Sequence, residues 1–261
     1  MTDLNAIAEF VDDASRYANA IPQLSESGKD LTLEQAYEVQ RLSVQRRYDR
    51  GQVQVGVKMG FTSRAKMIQM GLDEMIWGRL TNTMLVEDGG EIDLKDFVHP
   101  RVEPEIAFLL NKPLEGLVSP AQAMLAVEAI APALEIIDSR YENFKFNLSD
   151  VVADNTSTSA YVVGPWVKPD IDFTNLGMVM SFDGRPVQIG SSAAILGHPL
   201  RALVAAARLV GEDGGRLEAG WTVMAGGATA AEALTSGLHV RLEAQNMGSV
   251  SFDVKIGAGD L

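Results

Sequence analysis

Residues 101–108 read Arg101-Val102-Glu103-Pro104-Glu105-Ile106-Ala107-Phe108. Side chains alternate faces along a strand, so Val102, Ile106 and Phe108 form an apolar face while Glu103 and Glu105 lie together on the other. Neighbouring carboxylates repel, which raises at least one of their pKa values. A divalent cation removes the repulsion, because hard cations take carboxylate oxygens. A half-exposed strand with two solvated acids fits the same residues. Glu135 bears on the choice. It sits in Pro132-Ala133-Leu134-Glu135-Ile136-Ile137, an otherwise apolar segment where an unpartnered acid is costly to bury. Glu103, Glu105 and Glu135 together make an all-oxygen set suited to Mg²⁺ or Mn²⁺, with positions left for water and substrate. His99, His198 and His239 have no His-x-x-x-His spacing and cysteine is absent, so zinc is a poor fit.

Outward from that strand, short β-rich runs alternate with Gly, Pro and Asp turns, at 53–59, 102–110, 133–137, 160–163, 178–182, 222–225, 238–242 and 249–254. Helical spacing runs through 4–19, and from the capping-box pair Thr32 and Gln35 to Gly51. It returns from Ser119-Pro120-Ala121-Gln122 through residue 130, and from Pro199 to Val210. This irregular, strand-heavy order predicts an α+β fold, not a doubly wound sheet. Residues 1–52 read as a small helical extension and 53–261 as the main domain. Pro104 cannot donate to a ladder, so an edge or a bulge is expected there.

The 261 residues are enough for one large core. Asp and Glu number 35 against 22 Lys and Arg, a formal charge of −13, which disfavours nucleic acid and anionic membrane surfaces as partners. An anionic substrate would therefore need a bound cation, or local Lys and Arg, to receive it. No run approaches the ~20 apolar residues of a membrane-spanning helix. The early acids of the N-terminus do not read as a signal peptide, and the absence of cysteine suits a reducing cytoplasm. Neither Gly-x-x-x-x-Gly-Lys-Ser/Thr nor Gly-x-Gly-x-x-Gly occurs, so nucleotide binding has no support.

Several segments, taken in order, resemble the fumarylacetoacetate hydrolase superfamily over nearly the whole chain. They are Gly56-Val57-Lys58-Met59-Gly60-Phe61-Thr62-Ser63, 67–71, 100–106, 134–140, Val152-Ala153-Asp154-Asn155, 187–199 and Gly248-Ser249-Val250. Within the superfamily the chain looks like the branch of 2-oxopent-4-enoate hydratases and 4-oxalocrotonate (2-oxo-3-hexenedioate) decarboxylases. The resemblance implies a mixed β-roll that carries the active site, preceded by a small helical region. It puts the metal carboxylates at Glu103, Glu105 and Glu135 and the active-site lysine at Lys58, with Asp154, Asn155 and Ser157 beside them. It also implies homo-oligomers, and for the decarboxylases association with the hydratase of the next step. Lys58-Met59-Gly60, the run 65–71, the block 138–146 and Gly226-Gly227-Ala228-Thr229-Ala230-Ala231 look more like the decarboxylases. Asn82, where many relatives carry an acid, and Pro104 depart from the pattern.

The expected substrate is a small 2-oxo acid whose oxo and carboxylate oxygens face the cation. Arg140, or the backbone around Gly226 and Gly227 with Thr229, is expected to hold a distal carboxylate. Each has a plainer reading. Lys58 fits an edge lysine, Asp154-Asn155 a turn, Gly226-Gly227 a turn, and Arg140 a surface pair with Glu142 or Asp138. Decarboxylation leads and hydration is the alternative. Behind them stand hydrolysis of an acylpyruvate, for which no His lies between Lys58 and Gly71, and a non-catalytic partner subunit.

Overall fold

The two N-terminal helical patterns fold as α1 (Leu4–Arg16) and α2 (Leu33–Asp49) in the computed structural model, which describes residues 3–63, 67 and 74–257. The Asp3 side chain accepts the Ala6 N–H to cap α1, and Thr32 and Gln35 form the capping box that starts α2. Ile7, Val11, Ala36 and Val39 pack with Ile76, Tyr141 and Val152, which seats the helices against the strands that follow. Between the helices, buried Asp12 accepts hydrogen bonds from Arg46 and Arg50.

Thirteen strands follow among the described residues: β1 (Gln54–Gly60), β2 (Ile76–Thr81), β3 (Leu85–Val86), β4 (Gly90–Ile92), β5 (Arg101–Leu110), β6 (Val127–Ile137), β7 (Thr158–Val163), β8 (Gly177–Phe182), β9 (Arg185–Ser191), β10 (Thr222–Met224), β11 (Glu232–Ala233), β12 (His239–Ala244) and β13 (Gly248–Val254). The larger sheet runs β2-β1-β10-β5-β6-β7-β3, with β11 also paired to β5, and the smaller runs β4-β13-β12-β8-β9. Parallel pairs β1–β10, β3–β7 and β4–β13 break an otherwise antiparallel pattern. Three further α-helices lie among the described residues of this α+β fold: α3 (Pro120–Leu125), α4 (Leu148–Ala153) and α5 (Leu200–Glu212).

The alternation expected of 101–110 decides how the layers meet. Val102, Ile106 and Phe108 of β5, with Ile130, Leu134 and Ile136 of β6, pack against Val240 and Leu242 of β12 and Val250 and Phe252 of β13. Ala107 and Ala133 belong to the opposite face, where they meet Leu80, Tyr161 and Met224. Glu103, Glu105 and Glu135 share that second face by the period of the strand.

Two local expectations are corrected. The helix read through residue 130 stops at Leu125, and β6 begins at Val127, because Val127 pairs with Leu110 and Ile130 with Phe108. Strand pairing outweighs a weak helical pattern here. Pro104 lies at neither an edge strand nor a bulge; it sits inside β5 opposite Leu134, and the register shift comes at Leu109/Leu110. β10 pairs only with 107–109 of β5 and β11 only with 101–102. In the gap between them the Pro104 carbonyl accepts the Ala228 N–H at 2.8 Å. A strand residue's N and C=O face the same side, so the donor that proline lacks falls where no ladder partner waits. Among the described residues no helix is long and apolar enough to cross a membrane.

Candidate metal centre and active site

Register performs the first assembly. Antiparallel β5 and β6 set Glu103 directly opposite Glu135, and Glu105 follows on the same face of β5. One carboxylate oxygen from each lies within 4.8 Å of the others. Glu105 is 0% exposed and Glu135 1%. Like charges placed opposite each other destabilise a sheet, and burial magnifies the cost. Burial, followed by the charges of Glu135 and Glu103, holds the Glu105 carboxyl well above the usual carboxylate range.

The protein compensates only in part. The Gly226 N–H donates to Glu105 Oε2 at 2.8 Å. Buried Lys58 donates from Nζ to Glu135 Oε2 at 3.4 Å and sits 3.1 Å from Oε1, a charge contact outside hydrogen-bond geometry. Glu105 Oε1 and Glu135 Oε1 are buried with no hydrogen-bond partner among the described residues. A single lysine leaves net negative charge on this cluster. Hard divalent cations bind oxygen ligands at ~2.0–2.6 Å, so oxygens of one coordination sphere lie up to about 5 Å apart. The donor type, the separation and the orphaned oxygens all fit such an ion.

Beside the cluster opens a cavity of about 540 Å³, lined by Lys58, Arg101, Glu103, Ser157, Gly227 and Phe144 among others. Ser157 reaches it through an unusual turn. Asn155, Thr156 and Ser157 have φ of 47°, 57° and 57°, three successive non-glycine residues in the left-handed region. That conformation costs roughly 1–2 kcal/mol per residue, so the surroundings must enforce it. The Asn155 amide grips β2, accepting the Arg79 N–H at 2.8 Å and donating to the Arg79 carbonyl at 2.9 Å. Thr156 Oγ1 donates to the Trp77 carbonyl at 2.8 Å. Beneath the turn, Arg140 Nε donates to Asp154 Oδ1 at 2.5 Å, the Arg140 N–H to Oδ2 at 3.0 Å, and Nη2 to the Asp154 carbonyl at 2.7 Å. Burial pushes the Asp154 carboxyl up to about 6 against the pull of Arg140. The outcome is a Ser157 hydroxyl that is buried at the cavity with no hydrogen-bond partner among the described residues.

Thus Lys58, Glu103, Ser157 and Gly227 line the cavity, and Glu105 and Glu135 converge with Glu103. The other expected site residues face elsewhere. Arg140 neither meets the cavity nor pairs on the surface; it is buried against Asp154. Asp154 and Asn155 hold the turn and are not among the residues that line the cavity. The Gly226 N–H is engaged by Glu105, and its φ of 99° and a clash of any Cβ with Thr62 Oγ1 at 2.0 Å require glycine. Thr229 Oγ1 turns to the Ala230 carbonyl at 3.1 Å. Of the run 65–71, only Met67 lies within the described residues. Arg101 was missed as a cavity residue. Its signal was the same alternation that pairs Glu103 with Glu105.

A family model, fumarylacetoacetate (FAA) hydrolase C-terminal, matches residues 54–255. The chain is 61% identical over 250 residues to a 4-oxalocrotonate decarboxylase of Pseudomonas sp, covering 95% of this chain and 97% of that one. It is 35% identical over 246 residues to a 2-keto-4-pentenoate hydratase of Paraburkholderia xenovorans (strain LB400), covering 93% and 91%. Its fold matches the structure of 4-oxalocrotonate decarboxylase from Pseudomonas putida G7 complexed with magnesium and adipate, with a TM-score of 0.93 at 37% identity, covering 96% and 97%.

Proposed function

The chain belongs to the fumarylacetoacetate hydrolase family, and from that premise we propose that it decarboxylates 4-oxalocrotonate (2-oxo-3-hexenedioate) to 2-hydroxypenta-2,4-dienoate and CO₂. Glu103, Glu105 and Glu135 hold a divalent cation, Mg²⁺ or Mn²⁺, in this reading. The observation that carries it is the convergence of three carboxylate oxygens within 4.8 Å beside a cavity that also presents Lys58. Magnesium together with adipate, a six-carbon diacid, in the Pseudomonas putida G7 enzyme supports both the cation and a diacid substrate.

A divalent cation at these carboxylates supplies Lewis acidity toward the 2-oxo oxygen. The residues of the chain do the rest. The C5–C6 bond breaks, CO₂ leaves, and the electron pair runs through C3–C4 to the 2-oxo oxygen, which ends protonated as the enol. Lys58, with Nζ 3.1 Å from Glu135 Oε1, keeps positive charge and N–H donors where that negative charge collects. The Ser157 hydroxyl orients the 2-oxo acid end. Arg140, Asp154 and Asn155 act at one remove, by holding the turn that presents it. Phe144 in the cavity wall limits access of water.

Decarboxylation needs an electron sink more than a base. Hydration of 2-hydroxypenta-2,4-dienoate to 4-hydroxy-2-oxopentanoate, the alternative, needs an acid–base pair at the carbon that takes the proton. Glu103 is the only carboxylate among the described residues of the cavity, and it belongs to the metal set. Asn82 is away from it, its side chain accepting the Val53 N–H at 2.9 Å. The same proposal divides the chain into a helical extension, 1–52, and a catalytic β-roll, 53–261, a division supported by the family match from residue 54. It includes a cytoplasmic homo-oligomer that associates with the hydratase consuming its product.

The test is direct. Purified protein with Mg²⁺ or Mn²⁺ should release CO₂ from 4-oxalocrotonate with no second enzyme, and EDTA should abolish the release. Consumption of 2-hydroxypenta-2,4-dienoate without CO₂ release from 4-oxalocrotonate would replace this reading with the hydratase.

A further inference from the structure

We infer that Arg101 selects a six-carbon diacid by receiving the substrate carboxylate farthest from the three glutamates; the inference deepens the decarboxylase reading and rests on it. Arg101, Glu103 and Glu105 share one face of β5 by the period of the strand. At about 3.4 Å per residue, each step along that row is about 7 Å. The row is graded: Glu105 is fully buried, while Glu103 and Arg101 are half-buried. It therefore runs from a sealed cation site outward to a positive group, over the reach of an extended six-carbon chain.

The other candidates for that carboxylate are occupied. Arg140 is buried against Asp154, the Gly226 N–H serves Glu105, and the Thr229 hydroxyl turns to Ala230. Lys58 and Arg101 are the cationic side chains lining the cavity among the described residues, and Lys58 lies at the Glu135 end. Arg101 forms no ion pair among those residues, although the chain carries 35 acids to 22 bases. Its neighbours across the sheet are Ile137 and Ala233, neither of them acidic. The guanidinium carbon stands 4.9 Å from the centre of the Phe144 ring, and that ring packs on His99 at 5.4 Å. A cation–π contact of this kind holds the guanidinium at the ring while its N–H groups stay available for a bidentate carboxylate. A half-buried arginine binds the departing carboxylate without the tight grip that would stabilise the ground state and slow its loss. Its effect falls mainly on binding. A five-carbon monoacid stops short of Arg101 and brings no charge to it.

The experiment compares adipate with hexanoate, a monoacid of equal length, by calorimetric titration of the Mg²⁺-loaded full chain, alongside the kinetics of 4-oxalocrotonate. Wild-type protein should prefer adipate by about tenfold or more, the scale of a charge-assisted hydrogen bond. In Arg101→Gln the preference should shrink to about twofold with hexanoate binding unchanged, and KM should rise about tenfold while kcat moves by less than about threefold. Arg101→Lys, which keeps the charge but not the fork, should recover part of the preference. Absence of a preference in the wild type, its full retention in Arg101→Gln, or equal weakening of both ligands would overturn the assignment. An Arg101-dependent preference in a protein that releases no CO₂ would instead sink the decarboxylase reading and leave the diacid subsite standing.

Discussion

Glu135 is the acid whose position most needs explaining, since it is 1% exposed near the C-terminal end of β6 and opposite Glu103. Second partners of metal ligands are worth ~10–100-fold in affinity, so loss of a direct carboxylate should cost at least as much. We expect Glu135→Gln to weaken Mg²⁺ and Mn²⁺ binding by that factor or more in calorimetry and to lower CO₂ release with it. Full affinity and full rate in the variant would leave the cluster without a cation role. Lys58 is tested on a different axis, because it compensates Glu135 and faces the cavity. Removing one preorganised charge donor costs ~10²–10³ in kcat. Lys58→Ala should therefore turn over about a hundredfold or more slowly while its circular dichroism and melting remain those of a folded protein. Unchanged turnover would rule out the role assigned to it.

Among the elements, the turn between α4 and β7 concentrates backbone cost, with three successive left-handed residues held by β2 on one side and by Arg140 and Asp154 on the other. Arg140 and Asp154 are each 1% exposed, and breaking a buried pair by removing one partner costs about 3–5 kcal/mol. Arg140→Ala should show that loss in urea unfolding at pH 7. A variant of unchanged stability but raised KM for the diacid would return Arg140 to the substrate-binding role suggested by the sequence. The pH dependence has a definite sign. Burial raises Asp154 to about 6 in the folded protein, so its favourable contribution is complete below the unfolded value near ~4 and is lost as pH rises through 6. Without Arg140 the folded value climbs further. The gap in stability between wild type and Arg140→Ala should accordingly narrow as pH falls from 7 toward 5, and a gap that widens with acid would contradict this pairing.

The whole molecule carries a formal charge of −13, yet its cavity presents Lys58 and Arg101 beside a site fit for a cation. An ion that binds only the folded state raises its stability by mass action, by ~2.7 kcal/mol at a hundred times the Kd. Mg²⁺ at that concentration should raise the unfolding free energy by about this amount, and EDTA should return it to the starting value; a melting curve indifferent to both would mean the glutamates hold no ion. At this scale the sequence by itself determined the faces and the chemistry. Alternation in 101–108 told which side of β5 was core, the isolated acid in 132–137 pointed to a partner, and Thr32 with Gln35 marked where α2 begins. These signals are local, written in the 2.0 and 3.6 periods of neighbouring side chains. Only the tertiary structure decided that Val127–Ile130 pairs with β5 instead of extending α3, that Ile76–Thr81 and Arg185–Ser191 are strands, and that Pro104 sits harmlessly in a gap of the ladder. It also decided that Arg140, Asp154 and Asn155 face one another and β2 while Arg101 faces the cavity. A charged side chain shows its chemistry in the sequence, but its partner is chosen across the fold by register and burial, which no window of neighbouring residues contains.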